Sequence, residues 1–580
     1  MTPSSGLRSR YRDWSSIVSV NVDLVNNQRY STTRRSFLTT ALQSAALLTA
    51  GRSNSAETER ATDVIALDPS HAAAVNRRRR IVMMQDAYGD GHGLPPFSGK
   101  WEDWLTYRFD LIDQSENQVD AVWWDMAALD ACYPSKVLPP HQNANLQRFR
   151  DQGIDCLGEL VRETRRRGLE VFWNQRISEV ELDGKQHPLK VQHPDWAIET
   201  WWPHGMWNLA APGVRDMTVS VVRELAENYP LDGIQIDFAR HTPVLPPGRQ
   251  WELREHITDL VRRIRLALLE VAAGRGQPIL LAVRVPRSVA GCRVDGFDVE
   301  AWAQQNLVDI FTIGTRTIDV DVAGFRAITA GRNIKLQPSW DDHHAMDAYQ
   351  WKSTEFLRGV FANWWQQGAD SLALWNWSNA RSEVCRKMGC QPGPMTHETT
   401  LLEIGSIETL RFKNKIFAVG RRGGFPWSEG YFSRNHDAPL PLDLPDDGSF
   451  VQIPIRVGDR LRAHAQKTKS VSLQLILFGA TGDDELEARF NGVRLEPTRR
   501  DADHKDNQIL SPAPQPPSGS LARRQVNPNQ QLLRLDFAIP PRSCHVGLNE
   551  VAIRVDRKTA GESSHQLKLE KVEIHVQYTG

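Results

Sequence analysis

Tyr229–His241 reads YPLDGIQIDFARH: a helix end, a tight Asp-Gly turn, then a short segment in which Ile234, Ile236 and Phe238 alternate with Gln235 and Asp237. A short apolar run bounded by a turn signal reads as a buried strand, here one that ends in polar side chains. The unit recurs. Further apolar segments lie at Ile81–Ala87, Val119–Met126, Leu169–Ser178, Ile279–Pro286, Leu307–Thr315, Asn333–Trp340 and Ser371–Ser378. Between them Pro212–Tyr229, Trp251–Ala273 and Thr354–Gln366 carry apolar residues at helical spacing. Parallel strands covered on both faces cannot show a polar face, so apolar runs alternating with helices are the form that repeated βα units take. Eight such units over about 300 residues predict an α/β fold, a (β/α)₈ TIM barrel spanning residues 75–400. Fewer strands would leave a doubly wound sheet.

The texture changes after the eighth segment. Residues 403–580 carry short β-like runs, among them Phe412–Val419, Phe450–Val457, Ser470–Phe478, Leu532–Ile539 and Val572–Tyr578, joined by Gly/Pro/Asp/Asn-rich connectors. That pattern predicts a C-terminal β-sandwich. FNGVR at 490–494 and GLNEVAIR at 547–554 resemble galactose-binding-like jelly-roll modules, but no concentrated aromatic face marks a carbohydrate platform, so a domain that braces the barrel is expected. At the other end, Ser31–Leu38 (STTRRSFL) places Arg34 and Arg35 before a modest apolar stretch. Residues 1–60 therefore read as a twin-arginine-type export signal with a disordered leader, placing the mature protein in the periplasm or beyond.

Charge balances at 70 Lys+Arg against 70 Asp+Glu, which removes the electrostatic argument for a nucleic-acid or membrane-surface partner. No apolar run reaches the length of a membrane span. The six cysteines show no paired metal-ligand spacing, although Cys385 and Cys390 are close enough for a local disulfide outside the cytosol. No cofactor is expected, and oligomeric state is not legible.

Barrels of this kind carry their chemistry at the carboxyl ends of the strands. Collected there are Asp86, Trp124 and Asp125, Trp173, Asn174, Arg176 and Glu179, Asp237, Arg240 and His241, Arg284, Trp340, Asp341, Asp342 and His343, then Trp375 and Asn376. Carboxylates, guanidinium forks and indoles suit a sugar, whose apolar face stacks on indole while its hydroxyls pair with charged and amide groups. Cleaving its glycosidic bond needs two carboxyl groups, one to protonate the leaving oxygen and one as nucleophile or base. Asp237 is the leading carboxylate, with Arg240 and His241 near enough in sequence to stabilise its charge. Asp237→Asn is then expected to abolish turnover at a nearly unchanged melting temperature. The loop His193–Asn208 adds Trp196, Trp201, Trp202 and Trp207, about half of them needed for the loop's own core.

DGIQIDFARH and the stretch AVRVPRSVAGCRVDGFDVEAWAQQNLVDIF at 282–311 resemble family-10-like glycosyl hydrolases, exported bacterial TIM-barrel proteins. In several barrels of this type the fourth strand ends in DGxxxD and its last Asp is a catalytic carboxylate; the resemblance puts that role on Asp237. Strand 5 departs from amylase-like barrels, carrying Arg284 and Arg287 where those have an acidic Glu. The acid is then sought in Asp341 and Asp342, with Glu179 and Asp125 in reserve. Two other readings stand beside the hydrolase: a carbohydrate-binding barrel without an acid, and a metal-dependent hydrolase built on the Asp341–His344 run (DDHH), with Asp90 and His92 after strand 1.

Overall fold

The computed structural model describes residues 64–579 apart from 88–99, 127–128, 182–184, 201, 315–316, 343–352, 390–392, 394, 422–437, 510–525 and 560–565. Residues 1–60, where an export signal is expected, and His343, His344, Asp90, His92, Trp201 and Cys390 lie outside the described residues.

Eight parallel strands close into a barrel: β1 Ile81–Asp86, β2 Val119–Asp125, β3 Glu170–Arg176, β4 Gly233–Asp237, β5 Leu280–Val285, β6 Ile310–Ile313, β7 Lys335–Asp341 and β8 Leu372–Trp375. The connecting helices include α1 Trp101–Phe109, α2 Cys156–Arg166, α3 Pro212–Asn228, α4 Arg254–Arg275, α5 Val299–Gln304, α6 Val322–Ile328 and α7 Thr354–Gln366. The helix ends follow from local chemistry. The Ser353 hydroxyl accepts from the Phe356 N–H to start α7, and Gly276 takes a left-handed φ of 66° to close α4.

Side chains alternate across each strand. On the inside, Trp123 stacks on Phe172 with ring centroids 4.3 Å apart, and a Cβ at Gly233 would fall 2.3 Å from the Phe172 ring, so only glycine admits it. Above this apolar layer runs a hydrogen-bonded chain of interior polar groups. Ser371 donates to Gln337 at 2.9 Å, Gln337 to Thr312 at 3.1 Å, Thr312 to Gln235 at 2.5 Å and Gln235 to Asn174 at 2.5 Å. Every link satisfies a group that would otherwise cost about 1–3 kcal/mol to bury.

Beyond the barrel two antiparallel sheets follow. One has the order β9 (Lys415–Ala418), β17 (Lys568–Tyr578), β11 (Thr468–Phe478), β15 (Leu532–Ala538) and β14 (Pro497–His504), with Leu442–Asp443 also pairing β17. The other runs β10 (Val451–Val457), β16 (Gly547–Arg557), β12 (Glu485–Phe490) and β13 (Val493–Leu495). The compact unit is Asp63–Gly580, and one continuous apolar core runs from the outer layer of the barrel into the sheets. The junction is α7 against β9. A Cβ on Gly359 would meet the Ile416 carbonyl oxygen at 1.9 Å, so backbone touches backbone there. The Asn363 amide donates to the Arg456 carbonyl at 3.2 Å and Trp365 Nε1 to the Ile404 carbonyl at 2.8 Å. Among the described residues no helix is long and apolar enough to cross a membrane.

Candidate functional site

The mouth of the barrel is a ring of strand-end side chains that point inward: Asp86 on β1, Asp125 on β2, Arg176 on β3, Asp237 on β4, Arg284 on β5, Asp341 on β7 and Trp375 on β8. Register makes neighbours of them, since Asp86 pairs with Asp125, Arg176 with Asp237, Asp237 with Arg284 and Asp341 with Trp375. From β2 to β5 acid and base alternate, as Asp125, Arg176, Asp237 and Arg284. The two guanidinium groups reach Trp375, Arg176 at 5.4 Å and Arg284 at 4.3 Å from the ring centroid, so one indole supports both cations.

Asp237 is fully buried. Its Oδ1 accepts from the backbone N–H groups of Ala239 at 3.0 Å and Arg240 at 2.9 Å, and its Oδ2 accepts from Arg284 Nη1 at 3.0 Å. The charge partner is therefore Arg284, from the next strand, rather than the expected Arg240 and His241. Arg240 serves Asp237 only through its main chain. Its guanidinium lies 3.6 Å from Glu179, whose other oxygen is 3.2 Å from His241 Nδ1. Nδ1 also meets the Ser178 carbonyl at 3.1 Å, and with acceptors on both contacts it carries the proton.

Glu179 is buried, which pushes its carboxyl upward, but Arg240, His241 and Arg176 more than reverse this and hold it well below the usual glutamate range. Arg176 at 3.2 Å, Arg240 at 3.6 Å and His241 at 3.2 Å surround Glu179 with donors, an environment that favours its ionised form over that of an acid. Asp125 behaves in the opposite sense. Burial drives its carboxyl well above the aspartate range, Arg176 opposes this, and the hydrogen-bonded Asp86 adds to the rise. Asn174 sits one layer below the mouth, donating to Asp125 Oδ2 at 3.3 Å, and so positions that carboxyl instead of meeting a substrate.

Three of the expected aromatic contacts face the other way. Trp124 donates to Thr164 on α2 at 3.0 Å, Trp173 donates to Gln175 at 2.9 Å and packs edge-on against Tyr133, and Trp340 packs among Phe356, Phe361 and Trp364. Each is one residue from an inward polar neighbour, so strand alternation sends it into the outer layer. The same rule separates Asp341 from Asp342. Asp341 turns inward and accepts from the Asn376 amide at 2.7 Å; Asp342 turns outward, accepting from Trp340 Nε1 at 3.0 Å and lying 3.1 Å from His397 Nε2. Asp342 is thus no catalytic acid but an anchor for the segment after β8. Asn376 holds a left-handed φ of 52°, a strained conformation that aims its amide at Asp341.

His397 stacks on Trp377 at 3.9 Å, and its Nδ1 accepts from the Ser378 hydroxyl at 2.7 Å and the Ser378 N–H at 3.1 Å. The order Ser378, His397, Asp342 has the connectivity of a nucleophilic triad. Its geometry does not serve one: a Cβ on Gly393 would fall 1.7 Å from Ser378 Oγ, leaving no room there for an acyl carbonyl. Among the described residues, no group of three or more His, Cys, Asp or Glu side chains converges as a metal site. In the loop after β3, Trp207 is buried under the Lys190 ammonium at 4.8 Å, Trp196 stacks on His193 at 4.2 Å and Trp202 donates to Glu181 at 2.6 Å. These indoles build the core of the loop.

Residues 105–248, from within α1 to just past β4, match the model of the family described as glycosyl hydrolase-like 10. The match names the same kind of family as the sequence resemblance and takes in DGIQIDFARH, while the stretch at 282–311 lies beyond it. The matched segment contains Asp125, Arg176, Glu179 and Asp237, while Asp86, Arg284, Asp341 and Trp375 lie outside it. Among curated proteins, the glycosyl hydrolase DigH of Escherichia coli (strain K12) is 31% identical over 121 residues, 18% of this chain and 27% of DigH. The glycosyl hydrolase YngK of Bacillus subtilis (strain 168) is 29% identical over 115 residues, 19% of this chain and 22% of YngK. The chain thus spans about a quarter of the length of the curated relatives it matches. Among solved structures, the glycoside hydrolase domain of PgaB (BpsB) from Bordetella bronchiseptica aligns at a TM-score of 0.38 with 12% identity, over 57% of this chain and 99% of that one.

Proposed function

We propose that the chain is a glycoside hydrolase that cleaves O-glycosidic bonds of a poly- or oligosaccharide at the carboxyl-end mouth of its barrel. The observation that carries this reading is the ring itself, four inward aspartates interleaved with Arg176 and Arg284 over Trp375, within a barrel whose β2–β4 segment matches a glycosyl hydrolase-like family. Asp237 serves as nucleophile or base. Its Oδ1 is committed to two backbone donors, while Oδ2 receives a single donor and keeps a lone pair; the side chain is sealed in this state, so the mouth must open for a sugar carbon or a water to reach it. Asp341, steadied by Asn376, and the Asp86–Asp125 pair supply the further carboxyl groups that the reaction requires. The Trp375 indole N–H is buried and meets no acceptor among the described residues, which favours a ligand rich in hydroxyl oxygens.

In the same reading the C-terminal sheets face each other as an accessory sandwich that braces the barrel, and the leader exports the protein to the periplasm or beyond. The test is a panel of glycans offered to the purified mature protein, wild type beside Asp237→Asn. Turnover by the wild type and none by the variant supports the reading. Equal turnover by both removes Asp237 from the chemistry, and tight binding without turnover by either assigns the mouth to carbohydrate binding.

A further inference from the structure

We propose that Asp86 is the proton donor of this site, sharing one proton with Asp125 in a carboxyl pair clamped by Arg176; the donor role rests on the glycosidase reading above, the shared proton does not. The two aspartates are direct register partners at the ends of adjacent parallel strands, both turned into the barrel. Both carboxyls reach the same Arg176 Nη2, at 2.9 Å from Asp86 Oδ1 and 2.9 Å from Asp125 Oδ2. Two carboxylates brought side by side on one guanidinium nitrogen repel each other, and a proton held between them relieves that repulsion.

The clamp accounts for the charge. Arg176 Nη2 lies 2.9 Å from Asp86 Oδ1 and 3.0 and 2.9 Å from the two oxygens of Asp125, with Nε 3.2 Å from Asp125 Oδ2 and Nη1 3.2 Å from Glu179. One guanidinium thus faces three carboxyl groups. Glu179 also lies 3.6 Å from Arg240 and 3.2 Å from His241, so Arg176 is left to offset one negative charge of the aspartate pair and a proton removes the other. Around the pair, Asn174 adds a neutral donor from β3 and Trp375 lays an uncharged ring against Arg176 from β8. The pair is also asymmetric: the Asp125 side chain is sealed, whereas that of Asp86 is 13% exposed. The sealed member holds the proton in place and the open member presents it.

This arrangement answers the missing Glu on β5, where Arg284 pairs with Asp237 instead. As the bond from the anomeric carbon to the leaving oxygen breaks, its electron pair passes to that oxygen, which takes the proton from Asp86. The carbon receives a lone pair from Asp237, or from a water whose proton goes to Asp237. The aspartate pair is left doubly charged against Arg176, an unfavourable state that draws a proton back.

Two measurements on the full chain separate this proposal from the reading beneath it. Infrared difference spectra at neutral pH should show a carboxylic C=O band that is lost in Asp86→Asn and in Asp125→Asn and kept in Asp237→Asn. Persistence of the band in both pair variants overturns the shared proton whatever the protein hydrolyses. Asp86→Asn should lose about 10²–10⁴-fold in turnover of unactivated oligosaccharides. On dinitrophenyl glycosides, whose leaving group needs no proton, it should lose little, while Asp237→Asn fails on both. Equal losses by Asp86→Asn on the two substrate types overturn the donor role. A wild type inactive on every glycan overturns the glycosidase reading and the donor role with it, and leaves the infrared band to decide the pair.

Discussion

Replacing Asp237 by Asn should cost both turnover and stability, and the structure separates the two losses. The Asn side-chain oxygen can still accept from the N–H groups of Ala239 and Arg240, so the turn after β4 survives. What changes is the contact at 3.0 Å with Arg284, whose side chain is 2% exposed. The new amide turns donors toward a donor and leaves the guanidinium buried without its counter-charge. Removing one partner of a buried pair costs about 3–5 kcal/mol, against which the Trp375 ring at 4.3 Å gives Arg284 partial relief. A loss of about 3 kcal/mol is therefore expected, and the melting temperature does not stay nearly unchanged as the sequence alone suggested. The assay is urea unfolding followed by intrinsic tryptophan fluorescence, beside turnover on the best glycan of the panel. Asp237→Asn/Arg284→Met removes the stranded cation as well and should recover most of the lost stability without recovering turnover. A double variant no more stable than the single one would refute the account of the pair, and full turnover by either would refute the role of Asp237.

Stability should also depend on pH in two opposite senses. Glu179 is held below its unfolded value, so its contribution is present above about pH 4 and lost as pH falls further. Asp125 is held above its unfolded value, so the native state keeps a proton that the unfolded chain releases above about pH 4, and its contribution declines as pH rises from there. Urea midpoints measured across this range should fall less toward neutral pH in Asp125→Asn than in wild type; parallel curves would contradict the raised carboxyl. Gly359→Ala should lower stability by at least about 1–3 kcal/mol, because its Cβ would sit 1.9 Å from the Ile416 carbonyl oxygen, while turnover of the folded fraction holds. Chelators should leave hydrolysis intact, and inactivation reversed by zinc would favour the metal-dependent alternative.

The barrel was legible because its signal is long-range and repeated: eight apolar runs, each closed by a polar end, place the strands and the mouth without reference to any one contact. The choice of residue within each strand end was harder. Trp124, Trp173, Trp340 and Asp342 have the right chemistry at the right height, but a shift of one residue in a strand reverses the face, and strand ends fix that register only in three dimensions. Asp237 and Arg284 were each marked by position, yet their pairing joins β4 to β5 and is invisible to spacing along the chain. Asp125 was held in reserve; its alignment with Asp86 across β1 and β2 is what distinguishes it. The alternation of Asn174 and Gln235 with apolar neighbours was the available sign of the interior polar chain, and the strained backbone at Asn376 left none.

The contact between Gly359 and Ile416 bears on modularity. Many hydrolases accept the loss or exchange of an appended module because only a flexible tether joins it to the catalytic body. Here the seam is main chain against main chain, flanked by Asn363 and Trp365 donating to carbonyls of the C-terminal half. A gene shortened to end after the eighth strand would bare the flank of a helix that helps to wall the barrel. A replacement module from another enzyme would have to offer a strand at the same close approach, so the two halves are expected to be inherited together.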